Sequence, residues 1–365
     1  MLMSTKELKS LLLILLLSAL NLPSGAQIPA GYYNSAAGLS GYTLKTALYN
    51  IIKDHTVVSY NSLYSYYPRT DSKPGNKVWD IYSDVPGGTP PYVYYHTSGD
   101  QCGSYNSEGD CYNREHSFPA SWFNDASPMY SDLFNVIPTD GYVNNRRSNY
   151  PYAEAGTAVF TSLNGSKLGY CSYPGWTELV FEPIDEYKGD VARSVFYMAT
   201  RYENLIAGWK NNPGASCVLA GNSTAVFWQW YVNQLIDWHV QDPVSSKEIA
   251  RNDSVYRIQD NRNPFIDHPE WVEEIWTSTS SLSPTGEAPQ IRLYPNPVIR
   301  ELFIESSGEE MLHYVITDPG GRIVTEGTTA PAEPLNLGFF EAGIYFITVS
   351  TRGISYSSRF VKLPD

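Results

Sequence analysis

Between Tyr112 and Pro151 the chain gathers residue types that hydrolytic chemistry uses. Glu115 and His116 stand side by side, and Asn135, Asn144, Asn145, Arg146, Arg147 and Asn149 follow within 33 residues of His116. An apolar core has little use for so many amides and guanidinium groups in one stretch. Hydrolysis of a phosphodiester would use all of them. A water must lose a proton as it attacks, and a neutral imidazole can take it. Charge gathering on the phosphate must be stabilised, which a hard cation such as Mg²⁺ does from oxygen ligands. Glu115 offers a carboxylate and Asn144 an amide oxygen, and arginines grip phosphate oxygens bidentately. Neighbours on a regular strand face opposite ways, so Glu115 or His116 must sit where a strand ends or bends.

The elements that would position these groups follow from pattern. A strand carrying His116 is expected, then a turn region, then a helix starting near Asp140–Gly141 that carries Asn144. Asp140 suits the N-cap. Helical spacing of Val191, Val195, Met198, Tyr202, Leu205 and Ile206 predicts a helix over 189–207. A second, rich in Trp and Tyr, is predicted over 224–240, with Trp228, Trp230 and Trp238 as core residues. Ser245 followed by Glu248 is a capping-box signature for a third after Pro243. Glu248 and Asp253 read as surface charges on it. Runs 92–97 and 157–163 read as strands. Residues 27–276 therefore form an α+β domain, not a regular βαβ repeat. The stretch 277–290, TSTSSLSPTGEAPQ, is a linker by composition. After it, short apolar or alternating runs at 291–293, 302–305, 313–317, 322–325, 344–350 and 356–362 predict a small all-β sandwich.

The 365 residues carry 25 Lys+Arg against 38 Asp+Glu, a net charge of −13. That balance argues against a protein that holds nucleic acid by bulk charge, yet allows an enzyme that touches a few phosphates. Lys6 and Lys9 precede the apolar run 11–20, and Ser24-Gly25-Ala26 follows with small residues. This reads as a secretory signal over 1–26, too short to span a bilayer, and no later run is long enough to do so. In an exported chain, four cysteines favour disulfides. Cys102 and Cys111 suit a local closure, with Cys171 and Cys217 as the second pair, although four cysteines allow three connectivities. His239 beside Asp242, and His268 beside Asp267, lack a third ligand and read as structural hydrogen-bonding groups.

The segment from Arg114 to Asn149 resembles the endonuclease I family of secreted bacterial nucleases, part of the His-Me finger, or ββα-metal, group. The similarity extends to Val78–Ser83, to FEPIDEYKGDVARSVFYMATRY at 181–202, to Asp237-Trp238-His239, to Asp242–Ser245 and to NRNPFIDHP at 261–269. It spans roughly 40–276 in consistent order. The resemblance implies His116 as general base, with Glu115 and Asn144 as ligands of one Mg²⁺, Mn²⁺ and Ca²⁺ being the alternatives. It implies DNA, and RNA too, as substrates, cut with little sequence preference to give 5′-phosphate ends. Arg147 and Asn135 are the substrate-binding candidates it suggests; Arg147 would support the helix or touch phosphate, and Asn135 stands where many relatives have His. For Arg146 and Arg147 a solvated helix face is the other reading. Some relatives hold the product phosphate with a further arginine, for which Arg193 and Arg262 are candidates.

The C-terminal region has its own likeness. Leu293–Val298 (LYPNPV), Gly343–Ile347 and Arg359–Lys362 resemble the sorting domain of type IX secretion substrates, covering 291–365. This implies partnership with that secretion machinery and a product released or attached at the cell surface, expected to be monomeric. One alternative stands beside the enzyme: a surface adhesin that binds polymers through its Tyr- and Trp-rich surface, its nuclease-like domain inactive.

Overall fold

The computed structural model describes residues 28–277, 292–305, 311–318, 322–351 and 354–364, without the side chains of 350–357. The expected leader at 1–26 and nearly all of the linker lie outside these. The chain divides into two compact units, Met1–Trp276 and Thr277–Asp365.

In the first unit, helix α1 (Gly41–Ile52) places Leu44, Leu48 and Ile52 on one buried face, the four-residue spacing of a helical stripe. Helix α2 (Leu63–Thr70) buries Leu63 and Tyr67. Strands β1 (Tyr112–His116) and β2 (Val136–Asp140) then pair antiparallel, with Glu115 opposite Ile137 and His116 opposite Val136. Helix α3 (Gly141–Arg147) follows β2 without a break. Asp140 starts it as expected, its Oδ1 accepting from the Val143 N–H at 2.8 Å. Its other oxygen accepts from the Tyr94 hydroxyl at 2.6 Å, so the cap is tied into the interior.

Strands β3 (Ala155–Thr161), β4 (Lys167–Cys171) and β5 (Leu179–Glu182) form a three-stranded antiparallel meander. Helix α4 (Lys188–Arg201) runs through the core, with Val191, Val195 and Met198 inside. The predicted span breaks once, at Tyr202, which leaves helical geometry and donates its hydroxyl to buried Asp132 at 2.8 Å, and a short helix resumes over Glu203–Ile206. Helix α5 (Gln229–Gln241) starts later than predicted: Val226 has φ of +67°, a conformation a helix cannot use. Trp238 is core and Trp230 half-buried, but Trp228 sits just before the helix and is 41% exposed, so it leaves the expected core cluster. Helix α6 (Ser246–Gln259) has the predicted Ser245/Glu248 capping box. Helix α7 (Glu270–Trp276) closes the unit. The expected strand at 92–97 reduces to a single bridge, Lys77 with Tyr95.

The second unit is β-rich. Its strands are β6 (Arg292–Tyr294), β7 (Glu301–Glu305), β8 (Leu312–Thr317), β9 (Ile323–Thr329), β10 (Pro334–Asn336), β11 (Gly343–Thr351) and β12 (Ile354–Lys362). They form two antiparallel sheets, ordered β9-β8-β11-β12 and β10-β7-β6. Leu302, Ile304, Ile316, Ile347 and Phe360 bury one shared core. Strand β10 escapes the sequence reading because three residues with one buried side chain, Leu335, carry no period. No helix among the described residues is long and apolar enough to cross a membrane.

Cys102 and Cys111 are bonded, with Cα atoms 5.0 Å apart. The expected second bridge is absent: Cys171 and Cys217 are free thiols. Each is turned to a nearby carbonyl instead, Cys171 to Tyr173 at 3.7 Å and Cys217 to Gly214 at 2.9 Å. Burial pushes the Cys217 thiol up to about 12 and the Cys171 thiol up as well, which keeps both protonated and poor nucleophiles. Thiol-reagent titration of the denatured, unreduced chain is expected to count two thiols, and four after reduction; no reactive thiol before reduction would show a second bridge.

Candidate active site

His116 ends β1, which resolves the facing problem of two adjacent functional residues. Its ring is buried against Tyr130, centroids 4.9 Å apart and nearly parallel, with Tyr60 at 5.8 Å beyond. The Nε2 atom lies 3.0 Å from the Tyr130 carbonyl oxygen. A carbonyl can only accept, so Nε2 carries the proton and Nδ1 keeps its lone pair. Burial drives this imidazole down to about 4; the Tyr130 carbonyl opposes that, while Arg147 and Arg114 add to it. His116 is therefore neutral at pH 7.

Glu115 is buried, and three donors converge on its Oε1 atom. These are the Tyr82 hydroxyl at 2.9 Å, the Tyr152 hydroxyl at 3.1 Å and Arg147 Nη1 at 2.9 Å; the two hydroxyls are also 2.6 Å apart, so one can donate to the other while the second donates to Oε1. No hydrogen-bond donor reaches Oε2 from the described residues. Burial pushes this carboxyl up, and Arg147 and the two hydroxyls act against the shift. Arg147 is held above its ordinary range: burial opposes its charge, but Tyr152 and Glu115 outweigh that. Arg147 also donates to the carbonyls of His116 and Ser117, each at 2.7 Å. One guanidinium thus fixes three consecutive residues at the end of β1.

Arg147 is 1% exposed, so it offers no surface to a phosphate and its place is to hold the site. Asn135 is fully buried. Its Oδ1 accepts from the Phe118 N–H at 2.8 Å and its Nδ2 donates to the Phe118 and Met129 carbonyls at 3.3 and 3.4 Å. It braces the turn after His116, and substrate contact from either residue does not fit these positions. Asn144, half-buried on α3, donates Nδ2 to the Arg114 carbonyl at 3.3 Å, which leaves its amide oxygen as an uncommitted acceptor beside β1. Arg146 is exposed and donates to the Tyr142 hydroxyl at 2.8 Å.

Other expectations change in the structure. Arg193 and Arg262, the candidate phosphate arginines, are interior groups. Arg193 grips both Glu248 oxygens at 2.5 and 2.9 Å, and Arg262 binds Asp253 and Asp267 at 2.8 and 2.6 Å. Glu248 and Asp253 are accordingly buried, not surface charges; each sits inside because a guanidinium waits for it. His239 and His268 are structural as read: His239 Nε2 donates to the Pro269 carbonyl, and His268 faces Glu270. The sequence reading missed Tyr82 and Tyr152. Tyr82 lies in the quoted 78–83 motif, but nothing in spacing says that its hydroxyl reaches a residue 33 positions away.

A family model described as Endonuclease I matches residues 40–270. The chain belongs to the endonuclease I family. Among its relatives, an extracellular ribonuclease of Bacillus amyloliquefaciens is 38% identical over 249 residues, covering 67% of this chain and 78% of the relative. An extracellular ribonuclease of Bacillus subtilis (strain 168) is 35% identical over the same coverage. An endonuclease-1 of Buchnera aphidicola subsp. Acyrthosiphon pisum is 26% identical over 137 residues, 37% of this chain and 44% of that one. A secretion system C-terminal sorting domain matches 292–363, and the protein is secreted or surface-attached. As an endonuclease I family member it is a nuclease, a hydrolase acting on nucleic acid.

Two outcomes follow. Arg147→Met strands a buried carboxylate and two carbonyls, so it should cost about 3 kcal/mol in urea unfolding, where an exposed arginine would cost almost nothing. The second concerns His239, which burial and then the facing Arg193 guanidinium drive down to about 4. Its unfolded value is near 6.5. Between those values the unfolded chain binds the extra proton, so stability is full above pH 6.5 and falls as pH drops toward 4. His239→Gln should reduce the stability lost between pH 7 and pH 5 by about 2 kcal/mol; equal losses in both proteins would refute the assignment.

Proposed function

We propose that this protein is a divalent-metal-dependent endonuclease that hydrolyses DNA and RNA outside the cell with little sequence preference. The observation that carries the reading is the Nε2 bond of His116 to the Tyr130 carbonyl, which dedicates Nδ1 to accepting a proton. His116 would take that proton from a water as the water's oxygen attacks phosphorus. The new P–O bond forms as the bond to the 3′ oxygen breaks, leaving a 5′-phosphate and a 3′ oxygen that takes a proton from a water to become the 3′-hydroxyl. The neutral ring at pH 7 supports this role.

The donor set suits a hard cation. Glu115 would hold it through Oε2, which has no donor among the described residues, and Asn144 through the amide oxygen that its Nδ2 bond leaves uncommitted. Two protein oxygens match Mg²⁺, which keeps most of its waters, with Mn²⁺ or Ca²⁺ as alternatives. No group of three His, Cys, Asp or Glu side chains able to hold a metal occurs among the described residues, and this pair does not need one. When bound, such a cation stabilises negative charge developing on the phosphate. Arg147 and Asn135 serve as positioning residues: the first fixes the Glu115 carboxylate and the end of β1, the second the turn beyond it. The relatives named extracellular ribonuclease support RNA as one substrate. Scavenging nucleic acid as nutrient, or loosening a nucleic-acid matrix, would suit a monomeric exported enzyme of this kind.

Supercoiled plasmid and a structured RNA are the substrates for the test, with the signal-free, oxidised chain. Cutting is expected in Mg²⁺, lost in EDTA, and reduced at least ~10²-fold by His116→Ala. Ends bearing 3′-phosphates would contradict the assigned bond cleavage. A folded chain that cuts nothing with any divalent cation would favour the polymer-binding reading instead.

A further inference from the structure

Arg114 precedes the Glu115–His116 pair on β1, and both it and His116 pack against the Tyr60 ring. Its guanidinium carbon lies 3.8 Å from the Tyr60 ring centroid and 4.7 Å from that of Tyr64. Nη1 donates to the Tyr60 carbonyl at 3.1 Å, which sets the orientation of the group, and Nε is buried without an acceptor. Tyr60 itself lies nearly parallel to the His116 ring, 17° apart with centroids 5.8 Å apart, so the cation and the base contact the same tyrosine.

The charge balance around Arg114 is unlike that of the interior arginines. Of the buried ones, Arg147, Arg193, Arg251 and Arg262 each meet a carboxylate within 3 Å, and Arg201 donates to His55 Nδ1 at 2.9 Å. Arg114 meets none among the described residues, although the chain has 38 acidic side chains against 25 basic ones. It is half-buried, so its charge is only partly solvated, and it packs on the same tyrosine that faces the base. A half-buried cation without a counter-ion is stabilised when an anion arrives. A guanidinium already held flat beside two rings loses little freedom when it grips phosphate oxygens.

We propose that Arg114 is the arginine that binds substrate here, contacting a backbone phosphate of the nucleic acid beside His116. The proposal rests on the nuclease reading of the same site, and it supplies the phosphate contact that buried Arg147, Arg193 and Arg262 cannot make.

The test separates the two ideas by measuring binding without cleavage. A short fluorescein-labelled single-stranded oligonucleotide is titrated by anisotropy in EDTA at several salt concentrations, against the full-length oxidised protein and its Arg114→Gln and Arg114→Lys variants. Loss of one phosphate contact lowers the slope of log affinity against log salt by about 0.7. Arg114→Gln should show that change, with affinity about ten-fold weaker at low salt, while Arg114→Lys keeps the slope. In Mg²⁺, kcat/KM of the Gln variant should fall at least ten-fold. An unchanged salt slope in a Gln variant with wild-type Tm would overturn the proposal and leave Arg114 a stacking residue only. Should the Gln variant unfold, Arg114→Met, which covers the rings without charge, is read the same way. A wild-type protein that binds but never cuts would sink the nuclease reading, and the slope would still decide Arg114.

Discussion

The Arg147–Glu115 pair is the constraint on which the site depends. A buried carboxylate alone would be driven to take up a proton, and a buried guanidinium alone would pull the helix end toward water. Together, with the hydroxyls of Tyr82 and Tyr152, they form a closed set of charge-assisted bonds on one oxygen. The same guanidinium ties down the carbonyls of His116 and Ser117. The acid, the base and the end of the strand are therefore set by one side chain on the following helix. That economy explains why a family nuclease can place its chemistry on a two-stranded ladder, which by itself is a weak scaffold.

The remaining geometry is supplied by backbone acceptors and rings. His116 gains its tautomer from one carbonyl and its ring position from Tyr130 and Tyr60. Asn135 holds the turn beyond it by four bonds that involve only the surrounding chain. None of these partners is charged, so the site's electrostatics are left to Glu115, Arg147 and Arg114. In a chain of net charge −13 this leaves a local cationic bias where an anionic polymer would enter.

Much of this was legible in the sequence. Asp140 as a cap, the strand bearing Glu115 and His116, the helix bearing Asn144, and the Ser245 capping box all rest on local chemistry, and local chemistry reads directly from residue order. The match of the endonuclease I family to 40–270 agrees with the motif resemblance. What failed were statements about partners distant in sequence. Glu248 and Asp253 read as surface charges because their guanidinium partners, Arg193 and Arg262, cannot be assigned from spacing. Cys171 and Cys217 read as a bridge from parity alone, while the fold turns each to its own neighbouring carbonyl. The helix predicted over 189–207 is interrupted at Tyr202, whose hydroxyl bonds Asp132, and resumes over Glu203–Ile206.

The Cys102–Cys111 loop carries a consequence for where the molecule can be assembled. Gly141, the first residue of α3, donates its N–H to the Cys111 carbonyl at 2.9 Å. A Cβ there would come within 2.5 Å of the Cys102 sulfur. The helix that bears Asn144 and Arg147 thus starts flush against a covalent bond that forms in oxidising surroundings and is withheld by a reducing cytoplasm. A cell that makes this chain keeps its own genome on the side of the membrane where that buttress is missing.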